Sequence, residues 1–158
     1  MKSAVVYFSR TGNVKKVASK MAEIVKGDLK EIVCLESTAG VYGFIKCGFQ
    51  AATKKEARIA QMFDDMKDYD LVIVCSPIWA GNMSSPARTF LKKYGSSLQN
   101  VAFLVMHADK KNNYREAIRE MSKICEKTQV AYLSLTQNKD SDFSEELFGF
   151  AKKIADHL

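Results

Sequence analysis

Val5-Val6-Tyr7-Phe8-Ser9-Arg10-Thr11-Gly12-Asn13 is the stretch from which the architecture of this chain can be read. With Ala4 it opens on a continuous apolar run, the pattern of a strand buried on both faces. A short polar turn follows. Residues 13–26 then place Val14, Val17, Ala18, Met21 and Val25 at helical spacing with lysines on the other side, and Gly27-Asp28 ends the helix.

The same rhythm continues outward. Residues 29–35, 71–75, 101–106 and 130–135 read as further strands. Ser85-Pro86 supplies an N-cap with proline at the first helical position, Ala87, Phe90, Leu91 and Tyr94 form the apolar stripe, and Gly95 closes the helix. Asn113 with Glu116 caps a helix carrying Ala117, Ile118, Met121, Ile124 and Cys125; Leu147, Ala151, Ile154 and Leu158 mark a last one. Strands alternating with helices imply right-handed crossovers and a parallel sheet covered on both faces. The expectation is one doubly wound, three-layer α/β/α domain over residues 1–158 with a five-stranded parallel sheet. Residues 37–58 break the rhythm. They hold Gly40, Gly43 and Gly48, with a short helix predicted over 44–53, and Tyr42 and Phe44 are assigned to the core in preference to a subunit contact.

Composition narrows the function classes. Among 158 residues 47% are hydrophobic and 27% charged, the ordinary globular mixture. The opening apolar run is too short for a signal-peptide core or a membrane span, so a cytoplasmic protein without membrane attachment is expected. Cys34, Cys47, Cys75 and Cys125 show no metal-ligand or C-x-x-C spacing and are expected as free thiols. The net charge of +6 comes from scattered lysine pairs without interleaved aromatics, which argues against a nucleic-acid partner.

In an open parallel sheet, ligands bind beyond the C-terminal strand ends where strand order reverses. The loop after the first strand has two hydroxyls, Ser9 and Thr11, one glycine and no acid, and it leads into a helix N-terminus. That combination suits a phosphate; a plain turn capped by Ser9 or Thr11 is the alternative. There is no G-x-x-x-x-G-K-[ST], no G-x-G-x-x-G, no cysteine nucleophile and no acidic strand end to hold magnesium. The loop after the third long strand, Ser76-Pro77-Ile78-Trp79-Ala80-Gly81-Asn82-Met83, holds the only tryptophan. Its ring either stacks on a planar heteroaromatic or folds back as a plug. A phosphate cradle and an aromatic plate describe a ligand with a phosphate at one end and a ring at the other.

These two segments, together with Pro86-Ala87-Arg88-Thr89-Phe90-Leu91, resemble the phosphate-loop and flavin-ring-loop signatures of the flavodoxin superfamily. The match runs through nearly the whole chain in order. The resemblance implies strand order 2-1-3-4-5 and bound FMN. It places Ser9, Arg10, Thr11, Gly12, Asn13 and Val14 at the phosphate, and Pro77, Ile78, Trp79, Ala80, Gly81 and Asn82 at the isoalloxazine. His107, Ala108 and Asp109 would lie on the other side of the ring. Two departures stand out. Val14 replaces the usual threonine, removing one hydroxyl donor. The loop 107–112 lacks the glycines or aromatics typical of the family there; His107 either hydrogen-bonds the flavin or is an ordinary exposed loop residue. Residues 37–58 resemble an insertion seen in flavodoxin-like proteins of anaerobic bacteria, which would cover the flavin or a homodimer contact.

With no acid or nucleophile constellation, the leading expectation is an electron carrier serving a redox partner protein or a small-molecule acceptor. An FMN-dependent NAD(P)H or quinone reductase and a non-catalytic binding module are the alternatives. The positive charge favours reduced, anionic flavin, and so a less negative potential and an acidic partner.

Overall fold

The computed structural model describes residues 1–62, 65–138 and 141–158. Its elements run β1 (Ser3–Tyr7), α1 (Asn13–Val25), β2 (Asp28–Glu31), α2 (Gly40–Ala52), β3 (Leu71–Trp79), β4 (Asn82–Met83), α3 (Ser85–Tyr94), β5 (Asn100–His107), α4 (Arg115–Cys125), β6 (Ala131–Thr136) and α5 (Ser144–Ala155). The sheet order is β2-β1-β3-β5-β6, parallel throughout. This is the expected five-stranded arrangement. The two-residue β4, which pairs antiparallel with the end of β3, is an addition that only shifts the numbering.

Residue alternation divides the core between the two faces. Val6, Val74 and Phe103 meet Phe90 and Met121 of α3 and α4, whereas Val5, Ile73 and Leu104 meet Met21, Leu147 and Phe150 of α1 and α5. The central strands read as unbroken apolar runs because helices cover both sides. Among the described residues no helix is long and apolar enough to cross a membrane, and the four cysteines are free.

Several local expectations are corrected. β2 stops at Glu31, not residue 35, because the chain turns off the sheet to meet residues 58–60: Leu35 N donates to Arg58 O and Ala60 N to Val33 O. Ser84, not Ser85, precedes α3, which puts Pro86 at the second helical position. Neither serine caps: the Ser84 hydroxyl is drawn to Ser76 Oγ at 3.0 Å, and the Ser85 hydroxyl is buried without a partner. Gly95 is right-handed (φ −56°) and answers a contact, since an added Cβ would stand 2.5 Å from Cys125 Cβ. α4 starts after a left-handed Tyr114, with Asn113 taking only the Arg115 amide two residues on. Leu158 lies beyond α5 and is half exposed.

The excursion contains a helix longer than expected and turned the other way. In α2 the buried residues are the small ones, Gly43, Cys47 and Ala51, and the large apolar ones face outward. Tyr42 and Phe44 are 76% and 60% exposed, so they are not core. The cause is steric. A Cβ on Gly43 would fall 2.2 Å from the Thr38 carbonyl carbon, so the helix sits too close to the backbone beneath it to bury a large side chain there.

Candidate functional site

Above the C-terminal ends of β1, β3 and β5 lies a cleft of about 560 Å³, a size common for small-ligand and cofactor sites. Twelve of the fifteen residues proposed from the sequence line it; Gly12, Gly81 and Asn82 do not. The topology explains the convergence, because β1 and β3 are neighbours at the point where the chain reverses its direction across the sheet.

The floor of one end is the turn from β1 to α1. Gly12 takes φ 93°, where a side chain would be strained, and no side chain caps α1 and no acid lies in its first turn. The first-turn amides and the positive end of the helix dipole therefore face the cleft without a competing anion. Ser9 Oγ accepts from the Gly12 amide at 3.0 Å and Thr11 Oγ1 accepts from Asn13 Nδ2 at 3.2 Å. Both hydroxyls keep their protons to donate. Arg10 is otherwise engaged: Nε and Nη2 donate to the carbonyls of Thr38 and Gly40 at 2.8 and 2.9 Å, and the guanidinium lies 5.5 Å over the Phe44 ring. It ties α2 to the loop. Val14 is buried in the core below α1 and offers only its isopropyl group.

The aromatic end is built by a hairpin. β3 runs on through Trp79, so the indole sits on a strand end and not in the open loop expected. Ala80 and Gly81 turn the chain with φ 47° and 79°, the two positive values of a type I′ turn. Ser84 N donates to Ser76 Oγ at 3.1 Å and fastens the returning arm. Trp79 meets Phe8 edge to face at 5.9 Å, which props the indole while leaving it partly exposed to the cleft. Gly81 and Asn82 face a separate groove on the far side of the turn.

His107 differs from both expectations. It is buried on β5, where Nδ1 donates to Asp109 O at 2.7 Å and Nε2 faces Ser134 Oγ at 2.9 Å. A carbonyl can only accept, so Nδ1 carries a proton, and the Ser134 hydroxyl pairs with Nε2. The imidazole is a strut with both nitrogens in use. It supports Tyr114, whose ring lies 4.6 Å away and lines the cleft. The aromatic missing from 107–112 is thus present two residues later. A tyrosine between that loop and a helix is the sequence signal that marks it. Phe44, Gly48, Met106 and Gln137 also line the cleft; the first two depend on where α2 docks, which local sequence does not encode.

No cysteine lines the cleft. Burial raises the thiol pKa values of Cys34, Cys47 and Cys75, holding them protonated. Among the described residues no group of His, Cys, Asp and Glu is arranged to hold a metal ion. What the cleft offers is a helix N-terminus free of acids, three aromatic rings (Phe44, Trp79 and Tyr114) and an apolar wall.

No family model matches the chain. Its fold is similar to that of a flavoprotein of Lactobacillus acidophilus NCFM solved in complex with FMN: 22% identity, TM-score 0.69, covering 95% of this chain and 98% of that one. It is similar as well to flavodoxin 1 of Bacillus cereus (13% identity, TM-score 0.59, 100% and 99% covered). A flavodoxin of Streptococcus pneumoniae TIGR4 matches over the full length of both chains at 14% identity and TM-score 0.60. The fold is flavodoxin-like.

Proposed function

We propose that the cleft binds FMN and that the protein carries electrons between an acidic or small-molecule donor and acceptor. One observation carries this reading: a helix N-terminus with two donor hydroxyls and two aromatic rings, Trp79 and Tyr114, share one cleft of about 560 Å³. FMN fits that donor set, because its phosphate needs donors without nearby acids and its ring needs flat apolar partners. The similarity in fold to an FMN-bound flavoprotein supports the same ligand.

Bound FMN would supply one- and two-electron chemistry; the protein contributes binding, orientation and electrostatics. Ser9 and Thr11 would donate hydroxyl protons to the phosphate alongside the α1 amides, and Trp79 and Tyr114 would flank the ring. The buried His107, bonded to the half-buried Ser134, holds Tyr114 in place. Among the acid–base groups of the cleft wall, Asp109 is exposed and His107 has both ring nitrogens in use, so substrate proton transfer has little support from the protein.

Fluorescence titration of FMN tests this. Wild-type protein should quench the flavin and bind it near one to one. Trp79→Ala combined with Thr11→Val should weaken binding by at least about tenfold, given one lost stacking surface and one lost charge-assisted bond. An unchanged affinity would reject the site. Rapid NADPH oxidation with a quinone acceptor by the loaded protein would replace the carrier reading with a reductase.

A further inference from the structure

We infer that the outward face of α2 is the seat of a two-fold contact with a second copy of this chain, placed so that the copy borders the mouth of the cleft. Val41, Tyr42, Phe44, Ile45 and Phe49 are each 57–77% exposed on this one helix. Their open surface is on the order of 500–600 Å² along one helix, at the upper end of what a lone monomer leaves to water. It approaches the ~800 Å² that each partner contributes to a standard interface.

The pattern is self-complementary. At 100° per residue Val41, Ile45 and Phe49 form one stripe, opposite the buried stripe of Gly43, Cys47 and Ala51. A two-fold axis beside Ile45 brings two such helices together antiparallel. It lays the Val41-Tyr42 end of one against the Gly48-Phe49 end of the other, with the two Ile45 side chains meeting at the centre. Gly48 has open space where a Cβ would stand, which leaves room for the larger residues arriving from the other copy.

The surrounding charge favours this occupant over an anionic surface. Lys46 lies 3.9 Å from Glu36, Lys54 3.1 Å from Glu120, and the Lys55 ammonium sits 5.3 Å over the Phe49 ring. Two of these cations are paired with carboxylates and the third lies against an aromatic face, so the main driving force left on the face is apolar burial, which a second copy can satisfy. Phe44 and Gly48 also wall the cleft, so the second copy would stand at its rim.

Sedimentation of the full chain tests the contact without reference to nucleotide, so its outcome is separate from the FMN reading. The wild type is expected to sediment as a dimer. Ile45→Glu should weaken association by at least about tenfold with unchanged circular dichroism, since the residue is exposed and its loss leaves no cavity. Ile45→Cys should form a symmetric disulfide-linked dimer under mild oxidation, whereas Glu23→Cys, exposed on α1, should not. A wild type that stays monomeric at about 100 μM, well above the range of specific interfaces, overturns the inference. So does a dimer that survives Ile45→Glu, or an Ile45→Cys protein that does not cross-link. A monomer that instead sediments with anionic lipid vesicles assigns the face to a membrane surface.

Discussion

Val14 shows how one side chain divides its service between core and site. Its isopropyl group packs beneath α1, and at the cleft it supplies no proton where a hydroxyl would reach the phosphate. Val14→Thr is therefore expected to tighten FMN by about tenfold or more, the effect of one hydrogen bond to a charged group. The same change buries a hydroxyl and should cost about 1–2 kcal/mol of apoprotein stability. Isothermal titration calorimetry and urea unfolding read the two effects separately; equal affinity with lowered stability would show that the side chain points away from the phosphate. His107 teaches a related lesson. With Nδ1 and Nε2 both engaged, its contribution passes through the Tyr114 ring, and it reaches no ligand by its own hydrogen bonds.

At the level of elements, α2 walls the cleft, and a buried charge joins α3 to α4. Gly43→Ala drives a methyl group into the Thr38 backbone, which cannot swing aside as a flexible side chain would. A loss of about 1–3 kcal/mol is expected, with α2 displaced and FMN affinity reduced because Phe44 shifts with the helix. Thermal unfolding with and without FMN measures both. On the other flank, Arg88 of α3 is almost fully buried and meets Glu120 of α4 through two bonds of 3.1 and 3.2 Å, with Lys54 as the second partner of the carboxylate. Burial alone would raise the Glu120 pKa, but hydrogen bonds and charge from Arg88 and Lys54 outweigh it and the net shift is downward. A carboxylate with a depressed native pKa contributes stability above its ordinary value of 4.5, and that contribution fades as pH falls through the lower native value. Glu120→Gln should therefore flatten the acid limb of a urea-midpoint curve and destabilise the protein at pH 7 by about 3 kcal/mol, because Arg88 is left buried opposite a neutral group. A curve of unchanged shape would mean that the pair is not what acid breaks.

Over the whole molecule, the charge of +6 creates a field that favours any anion held in the cleft, reduced flavin included. The two-electron midpoint potential of bound FMN should be less negative than in acidic flavodoxins, and should fall as salt rises, since surface charges are screened beyond about 8 Å at physiological ionic strength. Spectroelectrochemical titration at two salt concentrations gives both quantities. A very low, salt-independent potential would place control in the cleft's own dipoles and remove net charge from the account.

The parallel architecture and the turn that forms one end of the cleft were legible in the amino-acid order because they are local. Buried strands announce themselves as continuous apolar runs, helices by their period, and the cradle is made of consecutive residues around Gly12. Trp79 was found for the same reason, although its hairpin was not, since a two-residue strand leaves no periodic trace. What the chain order alone did not reveal depends on how closely elements approach. Tyr42 and Phe44 read as core by hydrophobicity, yet Gly43 packs α2 so tightly against Thr38 that only Gly43, Cys47 and Ala51 fit beneath. His107 and Tyr114 likewise took their places from a strand neighbour, Ser134, that lies far away in sequence. Local pattern determined which segments fold and at which end of the sheet the cleft lies. Distance of approach, a property of the packed molecule, decided which large side chains are buried, which wall the cleft and which remain open to a second copy.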